Sequence, residues 1–159
     1  MKAKNSNKGR RRGPIEILLI IALIAIPLGL AFVVFSPDGE TSDAHDIQRY
    51  TDINSIIDAI RLYVIDNDGA FPSGIVDGGA YRVLGTNVTR CDVTCGTRKT
   101  SGACLDLSTD LIPRYLFEIP QDPISGTPGD TGYYIKRVGN VITVGACSLD
   151  ELTPIEVQR

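Results

Sequence analysis

Six residues of this 159-residue chain carry side chains from which chemistry could be built: Cys91, Cys95, Cys104, Cys147, His45 and Glu16. The thiols admit three uses. Zinc knuckles favour paired Cys-x-x-Cys ligands, whereas three residues separate Cys91 from Cys95 and eight separate Cys95 from Cys104. A dithiol redox centre would need a Cys-x-x-Cys pair, which the chain lacks. An even number of cysteines favours two disulfides that staple a Gly-rich loop to itself and to the last strand, with three pairings open. His45 is the only histidine and stands among acids near a helix start, so it reads as solvated. A Ser or Cys nucleophile therefore has no base elsewhere, and the chain has no Gly-x-Ser-x-Gly, His-Glu-x-x-His or phosphate-loop pattern. The expectation is a protein that is not an enzyme, with no cofactor and no metal.

Glu16 poses the sharper question, because it stands at the lip of RRRGPIEILLIIALIAIPLGLAFVVF, residues 10–35. An unpaired charge inside an apolar environment costs several kcal/mol or is neutralised. Ile17 to Phe35 are uncharged and as a helix would span about 28 Å, near the roughly 30 Å core of a bilayer. Lys2, Lys4, Lys8, Arg10, Arg11 and Arg12 precede the run and, by the positive-inside rule, hold the N-terminus in the cytoplasm. The first 35 residues are thus +5, which with a total of −3 leaves −8 for the remainder. That acidic remainder argues against direct binding of nucleic acid. A cleaved signal is the competing reading, but the run exceeds the usual apolar region of one and no small-x-small site follows it cleanly. The expected placement is the inner (cytoplasmic) membrane, single-pass, with the C-terminal domain periplasmic or extracellular. The cysteines, all beyond the apolar run, agree with an oxidising compartment.

Three elements must position these residues. Ile47, Tyr50, Ile53, Ile57, Ile60 and Val64 recur at spacings of three and four, which predicts an amphipathic helix over about 43–67 with Asp46, Arg49, Asp52, Asp58 and Arg61 largely between them. Asn67, Asp68, Gly69 and Pro72 end it. Asp66-Asn67-Asp68-Gly69 has a superficial likeness to a calcium loop but lacks its twelfth-position Glu, so it reads as a helix stop. Ser73 to Ser101 reads as mainly irregular, with one short strand at Tyr81–Leu84 and a chance-level glycosylation triplet at Asn87-Val88-Thr89. A short helix or turn at Ser108–Leu111 follows. Tyr133–Val138 and Val141–Ala146 flank Gly139-Asn140 as a hairpin.

The order of parts resembles bacterial type IV pilins and type II secretion pseudopilins: a basic leader, Gly13, Glu16, an apolar helix, an amphipathic continuation, a helix stop, loops and a C-terminal hairpin with cysteines. DINSIIDAIRLYVIDNDGAFPSG and LIPRYLFEIPQDPISGTPGDTGYYI are similar to the stretches that close the helix and enter the last strands in that family. The resemblance implies an α+β, pilin-like fold, one long N-terminal helix packed on a small C-terminal antiparallel sheet. It implies a leader over 1–13, a transmembrane helix over 14–35 and an extracytoplasmic domain over 36–159. Gly13 becomes the prepilin peptidase site, Pro14 the processed and methylated N-terminus, Glu16 the assembly residue and Ile17–Phe35 the filament core. The family pattern has an aromatic where Pro14 stands and places the Glu fifth instead of third. The implied partners are other pilin-like subunits, prepilin peptidase, an inner-membrane assembly platform and membrane lipid. The implied function is a structural subunit of a pilus or pseudopilus. The alternative is an anchored extracytoplasmic binding domain that does not polymerise and uses its loops, Ser73 to Gly102.

Overall fold

A computed structural model describes residues 13–16, 18–23, 40–92, 94–148 and 154–159. The chain divides into two units, Met1–Gly39 and Glu40–Arg159. In the first unit, residues 14–16 and 18–23 are helical. The leader over 1–12, Ile17, and residues 24–39, with Pro27, lie outside the described residues.

The second unit is built on α1, Glu40–Asp66. Ile53, Ile56, Ile57, Ala59 and Ile60 recur on one face and are all buried. At roughly 1.5–3 kcal/mol per buried aliphatic side chain, this stripe is the main reason the helix docks. The expected stripe is shifted, because Ile47 and Tyr50 are exposed and Arg49 is buried instead. The helix stops where expected. Asp68 takes φ 54°, and the Gly69 N–H donates to the Val64 carbonyl at 2.8 Å, closing the last turn on itself.

The stripe packs on a four-stranded antiparallel sheet of order β1-β4-β5-β6: β1 Arg82–Val83, β4 Tyr133–Val138, β5 Val141–Ala146 and β6 Glu156–Gln158. β4 and β5 form the expected hairpin, and Gly139 supplies the positive φ, 61°, at the first position of its two-residue turn. Tyr133, Ile135, Ile142, Val144 and Ala146 alternate onto the helix side with Ile155, Leu105, Leu107 and Leu111, the last from the short helix α2, Ser108–Leu111. The opposite side takes Val83 and Tyr134 with the cysteines, covered by a small hairpin of β2 Thr94–Cys95 and β3 Arg98–Lys99.

Two expectations are corrected. The helix that packs on the sheet begins at Glu40, and the N-terminal helical residues belong to a separate unit, so the described chain does not show one long N-terminal helix. No helix among the described residues is long and apolar enough to cross a membrane, which overturns the single-pass inner-membrane placement with an N-terminus held in the cytoplasm. The two disulfides fit an oxidising extracellular or periplasmic setting.

Candidate functional site

Gly13 precedes the helical residues and Pro14 opens them, a position where the missing N–H of proline costs nothing. The Gly13 carbonyl accepts the Glu16 N–H at 3.0 Å, so Glu16 sits in the first turn, where a carboxylate is favoured by the exposed N–H groups of the helix end. Ile15, Leu18, Leu19, Ile21 and Leu23 are each more than half exposed, from 57% to 77%. At about 100° per residue they sweep an arc of roughly 200° around the helix. That is wider than the stripe a single packed partner would cover.

The four cysteines come together as two disulfides, Cys91–Cys104 and Cys95–Cys147. The first closes the loop that carries β2 and β3, and the second ties that loop to the residue after β5. Asp130 approaches Cys91 and Cys104 within metal-binding range, but both sulfurs are bonded to each other and are not available as thiolates. Asp130 instead accepts the Asp92 N–H at 3.0 Å.

Around this staple lies a cluster that the sequence reading missed. Tyr134, Gly145 and Glu156 stand in line across three strands. A Cβ on Gly145 would overlap the Tyr134 ring, so glycine is what lets that ring lie across β5. The Tyr134 hydroxyl reaches Glu156 Oε2 at 2.7 Å, and Arg98 Nη2 donates to the same oxygen at 2.8 Å. Burial, then the hydrogen bond to Glu156, pushes the Tyr134 phenol well above its ordinary value. Tyr81 meets Tyr134 edge-on at 5.5 Å, with Arg98 and Lys136 5.2 and 4.7 Å from the Tyr81 ring centre. A glycine inside an otherwise β-rich run was the available signal.

On the helix side, Arg49 Nε donates to Asp122 Oδ2 at 2.7 Å with both side chains fully buried, and Arg49 Nη1 donates to Asp46 at 2.8 Å. Burial alone would raise the Asp122 carboxyl. Hydrogen bonds from Arg49, Ser125 and Ile124 outweigh it and hold the group below the ordinary carboxylate range. Nearby, Tyr133 donates to Asp52 Oδ2 at 2.7 Å. Burial raises the Asp52 carboxyl, the Tyr133 hydrogen bond pulls it back in part, and Asp122 adds to the rise. Arg49 lies four residues before Ile53 on the same stripe, so the spacing contained this burial although the residue type argued against it. His45 is half-buried in the second turn of α1, outside both clusters.

The chain was compared with family models, with curated proteins and with solved structures, and nothing matches in any of the three.

Proposed function

We propose that this chain is a structural subunit that assembles with pilin-like subunits into a filament of the pilus or pseudopilus kind. The observation that carries the reading is the wide exposed apolar arc of Ile15, Leu18, Leu19, Ile21 and Leu23 with Glu16 in its first turn. Such an arc left in water forgoes about 25 cal/mol per Å² of apolar surface, and several neighbouring helices are needed to cover it. A bundle of like segments supplies that cover. Within it, Glu16 gains a partner when the N-terminal amine freed by cleavage after Gly13 comes from a neighbouring copy, and the pair attracts strongly where water is excluded. A prepilin-type peptidase is the partner this cleavage requires. The disulfide-closed unit beyond Glu40 supports the same reading as a cross-linked surface domain fit for an oxidising exterior.

The test compares wild type with Glu16→Ala in the producing cells, reading sheared surface fractions by electron microscopy and the N-terminus by intact mass. Wild type is expected in filaments with a chain beginning at Pro14. The variant is expected to lose at least tenfold in incorporation while its disulfide-bonded unit keeps its wild-type unfolding midpoint. A wild-type chain that stays monomeric, or a variant that incorporates as wild type does, would falsify the reading.

A further inference from the structure

Beyond the filament reading, and independent of it, the second unit holds a hollow of about 350 Å³ at the open edge of its sheet. Its origin is the shortness of β1. Arg82 and Val83 pair with Ile135 and Tyr134, after which β4 runs on without a β1 neighbour. The incoming chain returns to β4 at Asp77, which bridges to Arg137, with the Gly78 N–H donating to the Arg137 carbonyl at 3.1 Å. Between these two attachments the backbone stands away from the strand. Gly74, at φ 86°, forms part of the wall; a Cβ there would strike Leu105 and come within 3.5 Å of Arg82 Nη1.

The lining combines apolar and cationic groups. Ile75, Leu105 and Ile135, all buried, supply apolar surface, while Arg82, Lys136 and Arg137 are three of its lining residues. Among the described residues no carboxylate lines the hollow and none pairs with any of these three cations. Their existing contacts are with neutral groups. Arg82 Nη2 donates to the Cys104 carbonyl at 2.7 Å. Arg137 Nε donates to the Gly139 carbonyl at 2.7 Å and its guanidinium lies 3.6 Å from the Phe71 ring centre, while Lys136, on the opposite face of β4, lies over the Tyr81 ring. Asp77, the nearest acid along the chain, is committed to the Gly139 N–H at 2.6 Å. The Arg82 Nε is buried and has no hydrogen-bond partner, a donor desolvated without return.

Arg82, a cation at the hollow with a buried unpaired donor and no carboxylate partner, marks a place where an anion replaces lost solvation. The volume lies at the small end of the range for ligand pockets, and the mix of apolar walls with a few convergent polar groups is their usual make-up. We propose that this hollow binds a small organic anion with an apolar body, a medium-chain or aromatic carboxylate. Its charged end meets Arg82, and its body lies on Ile75, Leu105 and Ile135. Arg82 is the specificity-determining residue, since its planar fork suits a carboxylate and still has an unused donor.

The test is an amide NMR titration of the oxidised full-length protein with octanoate, octanamide and inorganic phosphate as separate probes. Octanoate is expected to give saturable shifts at Gly74, Gly79, Lys136 and Arg137, with octanamide and phosphate each at least tenfold weaker. R82Q is expected to weaken octanoate at least tenfold, and K136Q/R137Q, whose charged ends lie over Tyr81 and Phe71, by much less. Should either variant misfold, raising NaCl from 20 to 500 mM on wild type serves instead, and is expected to weaken octanoate several-fold while leaving octanamide unchanged. Equal binding of octanamide would reduce the hollow to an apolar dent, and equal binding of phosphate would reduce it to a charged surface. Either result, or shifts confined to residues 13–23, overturns the proposal.

Discussion

The two sides of the sheet are stabilised by different means. The side facing α1 is covered by Ile53, Ile56, Ile57 and Ile60 against Tyr133, Ile135, Ile142 and Val144, a continuous aliphatic layer interrupted by one buried ion pair, Arg49–Asp122. Among the described residues of this unit, no helix covers the other side. Its buried group is Val83, Tyr134 and three half-cystines, rimmed by Tyr81 with two cations. A two-strand hairpin of four residues buries too little apolar surface to hold itself in place. The disulfides supply what packing does not, and the comparison teaches that covalent closure stands in for a missing structural layer.

The comparison breaks most sharply at the ion pair on the helix side. Asp122→Ala removes a carboxylate partner from the buried Arg49, and breaking a buried pair from one side costs about 3–5 kcal/mol. Urea unfolding of the oxidised protein measures it, and R49M/D122A is expected to recover much of the loss. A single-variant loss under 1 kcal/mol would show that the pair is not sealed from water.

On the stapled side, replacing Cys95 and Cys147 by Ser is expected to cost about 2–4 kcal/mol. The corresponding change at Cys91 and Cys104 is expected to cost less, because it opens 13 residues of separation where the other opens 52. Equal losses would mean that the loop is held by its packing. Gly145→Ala follows at about 1–3 kcal/mol, as overpacking against the Tyr134 ring, and G145A/Y134F should not restore stability because the clash is with the ring itself. G145A/Y134A should restore part of it.

The helix side was the more legible of the two in the sequence, for a physical reason. Aliphatic periodicity and the Gly139-Asn140 turn are local signals, so α1 and the β4–β5 hairpin could be read within a residue or a few of their bounds. Arg49 was misassigned because a lone cation on the stripe looks like a solvated one until its partner is known, and Asp122 is 73 residues away. β6 and the β2–β3 hairpin were not legible, since strands of two or three residues carry no period. The cysteines showed their number but not their pairing, which only the register of β5 against the loop determines. The one long N-terminal helix implied by the resemblance is not what the described residues show, since the helix that packs on the sheet begins at Glu40 in a separate unit.

The smallest expected effect separates the two sides by pH. Tyr133 donates to Asp52 on the helix side and Tyr134 to Glu156 on the stapled side. Burial first, and then those hydrogen bonds, raise both phenols well above the ordinary value of 10.0. Both contribute stability that is fully present below pH 10 and is lost as pH rises toward the folded-state values, because above pH 10 the unfolded chain releases protons that the folded chain retains. The loss at pH 10 itself is small, about 0.4 kcal/mol per phenol, and its slope then steepens toward about 1.4 kcal/mol per pH unit for each. Unfolding midpoints measured from pH 8 to 10.5 should therefore fall with upward curvature in the loss. Tyr133→Phe and Tyr134→Phe should each remove a comparable share of that pH dependence, whatever each costs in absolute stability, with the Tyr115 phenol, also raised by burial and its hydrogen bond to Asp66, contributing to the remainder. If Tyr134→Phe leaves the pH dependence intact while Tyr133→Phe reduces it, the stapled side admits water to its phenol, and the disulfides hold that loop near the sheet without sealing it.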